Sequence, residues 1–266
     1  MRDRDVAIAF LAALIVAICW RDPHGGSLLE LSTDLFRERS GTGAAELLAF
    51  AVLGTLAIRF RGEALLTRGD LGVIALSSLA FVFPLRSAAS VPLTLIGLKL
   101  VFGSDARVRS FGQILLALAF YEWLGPLIFH VLSPWVLKAE TIAVEAVLAP
   151  IGGFARDGLM ISPGGDFSLV IEEGCSAFHN VSLASLIWIS LVKLETLTLK
   201  PAHLWICAAM AAATVALNTA RLALMAQSFP MYEFWHNGAG VPMVTTAMLG
   251  AMLVICLGGL HLTARP

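Results

Sequence analysis

The stretch that decides the fold class is residues 241–262, Val-Pro-Met-Val-Thr-Thr-Ala-Met-Leu-Gly-Ala-Met-Leu-Val-Ile-Cys-Leu-Gly-Gly-Leu-His-Leu. It contains no Asp, Glu, Lys or Arg side chain. A helix of about 20 apolar residues crosses the hydrocarbon core of a bilayer, which is roughly 30 Å thick. The stretch lacks the period-2 alternation of a barrel strand, and lipid-exposed backbone must be hydrogen-bonded within its own segment. It therefore predicts a transmembrane helix.

The composition extends this prediction to the whole chain. The 266 residues are 58% hydrophobic and only 14% charged, and their mean hydropathy is +0.83. This much apolar surface exceeds what one soluble core buries, so we expect an all-α polytopic membrane protein with a single membrane domain over residues 1–266. The net charge of −1 and the lack of a long Lys/Arg run give no basis for nucleic-acid binding. The four cysteines form no Cys-x-x-Cys pair and have no histidine at zinc spacing, so the sequence supports neither a metal site nor a dense disulfide framework, and we predict no cofactor.

Similar apolar runs recur along the chain and predict its helices. We expect eight, at about residues 6–20, 44–58, 71–85, 90–103, 111–132, 175–192, 202–226 and 241–262. The first run could be a signal peptide, but it ends at Cys19-Trp20-Arg21 without a small-x-small cleavage site. We therefore interpret it as an uncleaved span.

The Lys and Arg residues of the loops predict the orientation of these helices. An even number of spans places both termini on one side, and the loops on that side carry more of the 18 Lys and Arg residues. Cytoplasmic loops carry this excess in membrane proteins, so we expect cytoplasmic termini. Segment 133–174, the start of the sixth helix and residues 229–240 should then meet at the outer face.

Segment 133–174 is predicted to form a small extracytoplasmic cap. Residues 135–149 carry Lys138, Glu140 and Glu145 among apolar positions, which is typical of an amphipathic helix lying at the membrane interface. Two β-prone runs at 159–162 and 167–171 flank Pro163-Gly164-Gly165-Asp166, a sequence typical of a hairpin turn. The cap should therefore consist of an amphipathic helix followed by a β-hairpin.

Cys175 follows the hairpin and opens the predicted sixth helix. Free N–H groups and the helix dipole at that position favour the thiolate, which is the nucleophilic form of cysteine. The alternative is that Cys175 is only a small hydrophobic residue, as we expect for Cys207 and Cys256.

Asn218 and Arg221 lie three residues apart and therefore on one face of the seventh helix. A buried guanidinium is costly unless it is paired, so Arg221 is a candidate for binding an oxyanion or a carboxylate. The alternative is an arginine whose long side chain reaches the interface.

Two histidines could serve as the general acid/base beside such a thiol. His236 lies in the predicted outer loop before the last helix, and its imidazole titrates near neutral pH. His179 competes with it, because a position four residues after Cys175 would share its helix face, one turn deeper. The alternative for His236 is a solvated loop histidine without a catalytic role. The alternative for His179 is a buried neutral histidine bonded to a neighbouring helix.

The ordered set Cys175-Ser176-Ala177, Asn218-x-x-Arg221 and His236-x-x-x-Gly240 resembles the exosortase/archaeosortase family. Members are multispanning cysteine transpeptidases that cleave C-terminal sorting signals of exported proteins, the PEP-CTERM type in bacteria. The chain departs from the family at Ala177, where glycine is usual.

The resemblance implies a thiol protease or transpeptidase of the bacterial cytoplasmic membrane, acting on membrane-anchored proteins at the outer face. It places the catalytic roles on Cys175, Arg221 and His236, and we expect Asn218, Glu173 and His179 to support them. It leaves the acyl acceptor open and requires no cofactor. The alternative is a small-solute transporter or a membrane scaffold, in which Arg221 binds an anion and Cys175 is inert.

Overall fold

The computed structural model describes residues 42–59, 69, 72–73, 86–103, 105–164 and 167–264. The predicted helix at 6–20, most of that at 71–85, and Gly165 and Asp166 of the predicted turn lie outside the described residues. The described chain is mainly helical. Its helices and strands, in chain order, are α1 (Thr42–Arg59), α2 (Arg86–Val101), α3 (Ala106–Ala119), α4 (Gly125–Leu148), β1 (Ala155–Asp157), β2 (Met160–Ser162), β3 (Leu169–Val170), α5 (Phe178–Glu195), α6 (Pro201–Met225), α7 (Phe229–His236) and α8 (Gly240–Ala264).

Three helical stretches in the described ranges are long and apolar enough to cross a membrane. They are Ala106–Leu148, Pro201–Met225 and Gly240–Thr263. Two shorter apolar segments, Leu47–Arg59 and Val91–Val101, lie in α1 and α2. Length and composition therefore support membrane association through at least these three stretches.

The predicted break between a span at 111–132 and an interfacial helix at 135–149 is wrong. A π-helical turn, Phe120–Leu124, joins α3 to α4, and the helical stretch runs without interruption to Leu148. Pro134 lies inside α4 and cannot donate a backbone hydrogen bond to the carbonyl of His130, four residues earlier. The Ser133 hydroxyl donates to that carbonyl instead, at 3.1 Å. The freed acceptor is thereby satisfied, and the helix continues through the proline.

The described residues fall into two compact units, and the first consists of residues up to Leu124 together with Ser185–Leu204. Within it, α2 and α3 approach so closely that a Cβ atom built on Gly112 would lie 2.5 Å from the backbone nitrogen of Val101 and 2.8 Å from the carbonyl oxygen of Gly97. Small residues allow such contact between apolar helices. Glycine at this position is therefore required by the packing of the two backbones.

The second unit contains Gly125–Ala184 and Trp205–Pro266 and includes the small sheet. Strand β2 pairs antiparallel with both β1 and β3, and Ile161 lies opposite Leu169. The predicted hairpin is confirmed by the β2–β3 pair, whereas the sequence analysis missed β1. Both of these side chains are buried in a core cluster that also contains Val144 of α4, Leu222 of α6 and Cys175. The sheet thus closes the core in which Cys175 lies.

Gly112→Ala should destabilise the protein by about 1–3 kcal/mol, because the neighbouring backbone has to move to admit the methyl group. Gly54→Ala in α1 is the matched control, since no atom of the described residues lies within 4 Å of a Cβ atom at that position. Thermal unfolding in detergent measures the difference. Equal melting temperatures for the two variants would contradict the close approach of α2 and α3.

Candidate active site

Cys175 lies in a 3-10 turn, Glu173–Cys175, and not in the first turn of an α-helix. The backbone N–H of Cys175 donates to the carbonyl of Glu172 at 2.9 Å, and Ser176 after it has an extended backbone. Helix α5 begins only at Phe178. The prediction that Cys175 opens the helix is therefore wrong, and the helix-dipole argument for a thiolate does not apply to it.

Ser176 explains why the helix starts later than predicted. Its hydroxyl oxygen accepts a hydrogen bond from the backbone N–H of Phe178 at 3.2 Å. Serine side chains at helix starts take up N–H groups that have no partner inside the helix. Ser176 thus belongs to the segment before the helix, and Cys175 lies one residue further back.

Asn218 of α6 holds the Cys175 turn from one side. Its Nδ2 group donates to the Cys175 carbonyl oxygen at 2.8 Å. Both residues are buried, Cys175 with 8% and Asn218 with 1% of its surface exposed. A buried carbonyl needs such a partner, so this hydrogen bond fixes which face of α6 meets the turn.

Arg221 follows Asn218 by three residues and is half-buried. Its Nε group donates to the carbonyl oxygen of Trp235 at 3.1 Å, and its charge lies close enough to interact electrostatically with Cys175. Within the described part of the chain, neither of its Nη groups has a hydrogen-bond partner. The guanidinium is therefore anchored at one nitrogen and keeps two donor groups for another acceptor.

His236 ends helix α7, where the sequence analysis expected a loop. Ser228 caps the start of this eight-residue helix by accepting from the Met231 N–H at 3.4 Å. The His236 ring stacks on Tyr232 with 4.8 Å between ring centroids, and Nδ1 lies 2.9 Å from the Asn237 side-chain oxygen. Trp235, whose carbonyl accepts from Arg221, directly precedes His236 in the chain. The hydrogen bond of Arg221 therefore lies one residue away from His236.

Glu173 and His179 occupy different surroundings from those expected. His179 is the second residue of α5 and is exposed, so the expectations of a shared helix face with Cys175 and of a buried imidazole are both wrong. Glu173 pairs with His130 of α4 at 3.5 Å, and both side chains are exposed. Exposed ion pairs contribute little to stability. We therefore assign this pair only the role of orienting the Glu173 side chain.

Sequence reasoning missed two residues that build the site, Glu140 and Trp235. Glu140 of α4 is buried, and its Oε1 atom accepts from the Ser176 hydroxyl at 2.9 Å and from the Ala177 N–H at 2.8 Å. The sequence signal for Glu140 is an acidic residue among apolar ones, a pattern that also fits the amphipathic helix expected over 135–149. Trp235 acts through its backbone carbonyl, for which a sequence carries no signal.

Gly240 sets the position of Trp235. A Cβ atom on Gly240 would lie 2.5 Å from Cε3 of the Trp235 ring and 2.8 Å from the Phe234 carbonyl oxygen. The indole ring therefore occupies the space that any other residue at 240 would fill. This contact gives a structural reason for the glycine of the His236-x-x-x-Gly240 motif.

No group of three or more His, Cys, Asp or Glu side chains among the described residues could hold a metal ion. Comparisons with known proteins found no family model, no curated protein and no solved structure that matches the chain.

Gly240→Ala should displace the Trp235 ring and weaken the hydrogen bond between its carbonyl and Arg221. We expect faster hydrogen exchange of the backbone amides of Phe229–His236 in this variant, measured by mass spectrometry. Gly250→Ala on the same helix is the control, because a Cβ atom there meets nothing within 4 Å. Equal exchange in the two variants would show that Gly240 does not hold Trp235 in place.

Proposed function

We propose that the protein is a membrane-embedded cysteine transpeptidase or protease of the exosortase/archaeosortase type. It cleaves C-terminal sorting signals of exported, membrane-anchored proteins at the outer face of a bacterial cytoplasmic membrane. The observation that carries the proposal is the linkage of the three motifs. Asn218 binds the Cys175 carbonyl, Arg221 lies near Cys175, and the Arg221 Nε group binds the residue before His236.

The proposed topology has eight spans with both termini in the cytoplasm. Three of the spans correspond to the long apolar stretches of α3–α4, α6 and α8. We assign four others to residues 6–20, 44–58, 71–85 and 90–103 from the apolar runs of the sequence, and the fifth to α5, which begins after the Cys175 turn. The Lys/Arg excess of the loops supports the orientation, which leaves the Cys175 turn on the extracytoplasmic side.

In the first step, the Cys175 sulfur attacks the carbonyl carbon of the scissile peptide bond. A carbon–sulfur bond forms, the thiol proton passes to His236, and the carbonyl π electrons move onto the oxygen. The two Nη groups of Arg221 supply charge-assisted hydrogen bonds to that oxyanion. Among the described residues neither group has a hydrogen-bond partner, which supports this role, because both are available without breaking a bond seen there.

In the second step, the tetrahedral intermediate collapses and the carbon–nitrogen bond breaks. His236 returns the proton to the departing amine, and the C-terminal anchor leaves. The acyl group stays on Cys175 as a thioester until an amine or hydroxyl nucleophile, or water, attacks it. This chemistry uses the side chains of the chain and requires no cofactor.

Cys175→Ala should abolish substrate processing while the protein remains folded, because the substitution removes the nucleophile and only one heavy atom of packing. The substrate is a co-expressed exported protein ending in a Pro-containing motif, an apolar span and a basic tail, and cleavage is followed by immunoblot. Cys207→Ala on α6 is the control and should process normally. Persistent cleavage by Cys175→Ala would remove the proposed function and favour the transporter or scaffold interpretation.

His236→Ala should lower the processing rate by about 10²–10⁴-fold, the usual contribution of a general acid/base. His179→Ala should change it little, because His179 is exposed on α5 and Arg221 is anchored beside His236 instead. Processing rates at matched expression compare the two variants. The reverse ranking would move the acid/base role to His179.

A further inference from the structure

Glu140 is a buried carboxylate on α4. Only 9% of the surface of Glu140 is exposed. Burying an ionised carboxylate is costly unless hydrogen bonds or an opposite charge compensate it. Among the described residues no Lys, Arg or His forms an ion pair with Glu140, so compensation comes from uncharged donors.

Both of these donors lie directly after Cys175. The Ser176 hydroxyl and the Ala177 backbone N–H donate to the same atom, Oε1, at 2.9 and 2.8 Å. The Ser176 oxygen in turn accepts from the Phe178 N–H, so Glu140 is connected through one hydroxyl to the start of α5. A single carboxylate oxygen therefore fixes the two residues that join Cys175 to its helix.

The Cys175 turn is thus held on both sides by buried hydrogen bonds from two different helices. Asn218 of α6 binds the carbonyl of Cys175 itself, and Glu140 of α4 binds the next two residues. The Ser176 backbone is extended, and its N–H donates to the Glu173 carbonyl within the 3-10 turn at 3.2 Å. Side-chain contacts from α4 and α6 add the hydrogen bonds that hold this turn against the neighbouring helices.

We propose that Glu140 is the positioning residue of the nucleophile, holding the Ser176–Ala177 segment so that the Cys175 sulfur stays aimed at the scissile carbonyl. This inference rests on the proposed function. Glu140 acts through the geometry of its hydrogen bonds. Arg221, on α6, interacts electrostatically with Cys175.

This role makes different predictions for two substitutions of Glu140. Glu140→Leu fills the space but leaves the Ser176 hydroxyl and the Ala177 N–H without their acceptor. Glu140→Gln keeps an amide oxygen that can accept both bonds. Misplacement of a reacting atom by about 1 Å costs on the order of 100-fold in rate, so Glu140→Leu should lower kcat by about that factor. KM should change little, because the substituted residue acts on the nucleophile.

The experiment measures two quantities on the full chain in detergent. One is the kinetics of substrate processing, and the other is the alkylation rate of Cys175 by iodoacetamide in a background where Cys19, Cys207 and Cys256 are replaced by Ala. In Glu140→Leu we expect kcat to fall and alkylation to become several-fold faster, because a loosened turn exposes the buried sulfur. Glu140→Gln should restore both quantities most of the way. Glu145→Leu, on the same helix and paired with Arg156 instead, is the control and should match the parent in both.

Unchanged kcat and alkylation in Glu140→Leu would overturn the inference, as would a Gln variant that behaves like the Leu variant. If Glu140→Leu does not fold, Ser176→Ala removes one of the two hydrogen bonds and should still accelerate alkylation of Cys175. A Ser176→Ala variant that alkylates like the parent would then overturn the inference. Processing that survives in Cys175→Ala would defeat the proposed function, whereas the alkylation rates would still test the effect of Glu140 on the turn.

Discussion

The hydrogen bond from the Asn218 amide to the Cys175 carbonyl is the contact on which the rest of the site depends. It joins the three-residue turn Glu173–Cys175 to the long apolar helix α6. Because side chains three residues apart share a helix face, the same contact directs Arg221 toward the turn. Arg221 then binds the Trp235 carbonyl and so fixes the end of the short helix that carries His236. One buried amide thus orders three segments that are distant in sequence.

The apolar surroundings make these few polar contacts strong and specific. Cys175 lies in a core cluster with Leu137 and Val144 of α4 and Leu222 of α6, where water does not compete for hydrogen bonds. A buried polar group without a partner is costly there, so each alternative position of the turn is disfavoured. The sheet contributes Ile161 and Leu169 to the same cluster, so the strands that precede the cysteine pack into the core that surrounds it.

Features with a local cause could be predicted from the sequence. The apolar runs near 44–58, 202–226 and 241–262 correspond closely to α1, α6 and α8, and the Pro163–Gly164 turn region separates paired strands. The error at Cys175 arose because a distant residue decides the local structure. Glu140 and Ser176 are 36 residues apart in the sequence, yet their side chains are hydrogen-bonded. This bond holds a turn at the position where the apolar pattern had indicated the start of a helix. The helix ending at His236 was missed because eight residues are too few for a clear periodic pattern.

The most direct test of the central claim is to trap the covalent intermediate on Cys175. Purified protein is incubated with a substrate peptide, quenched in acid, digested and analysed by intact and peptide mass spectrometry. The account predicts a thioester on Cys175 whose added mass equals the substrate portion N-terminal to the cleavage site, and its loss on treatment with hydroxylamine. Cleavage without an adduct even under rapid quenching, or an adduct on Cys207 or Cys256, would contradict it.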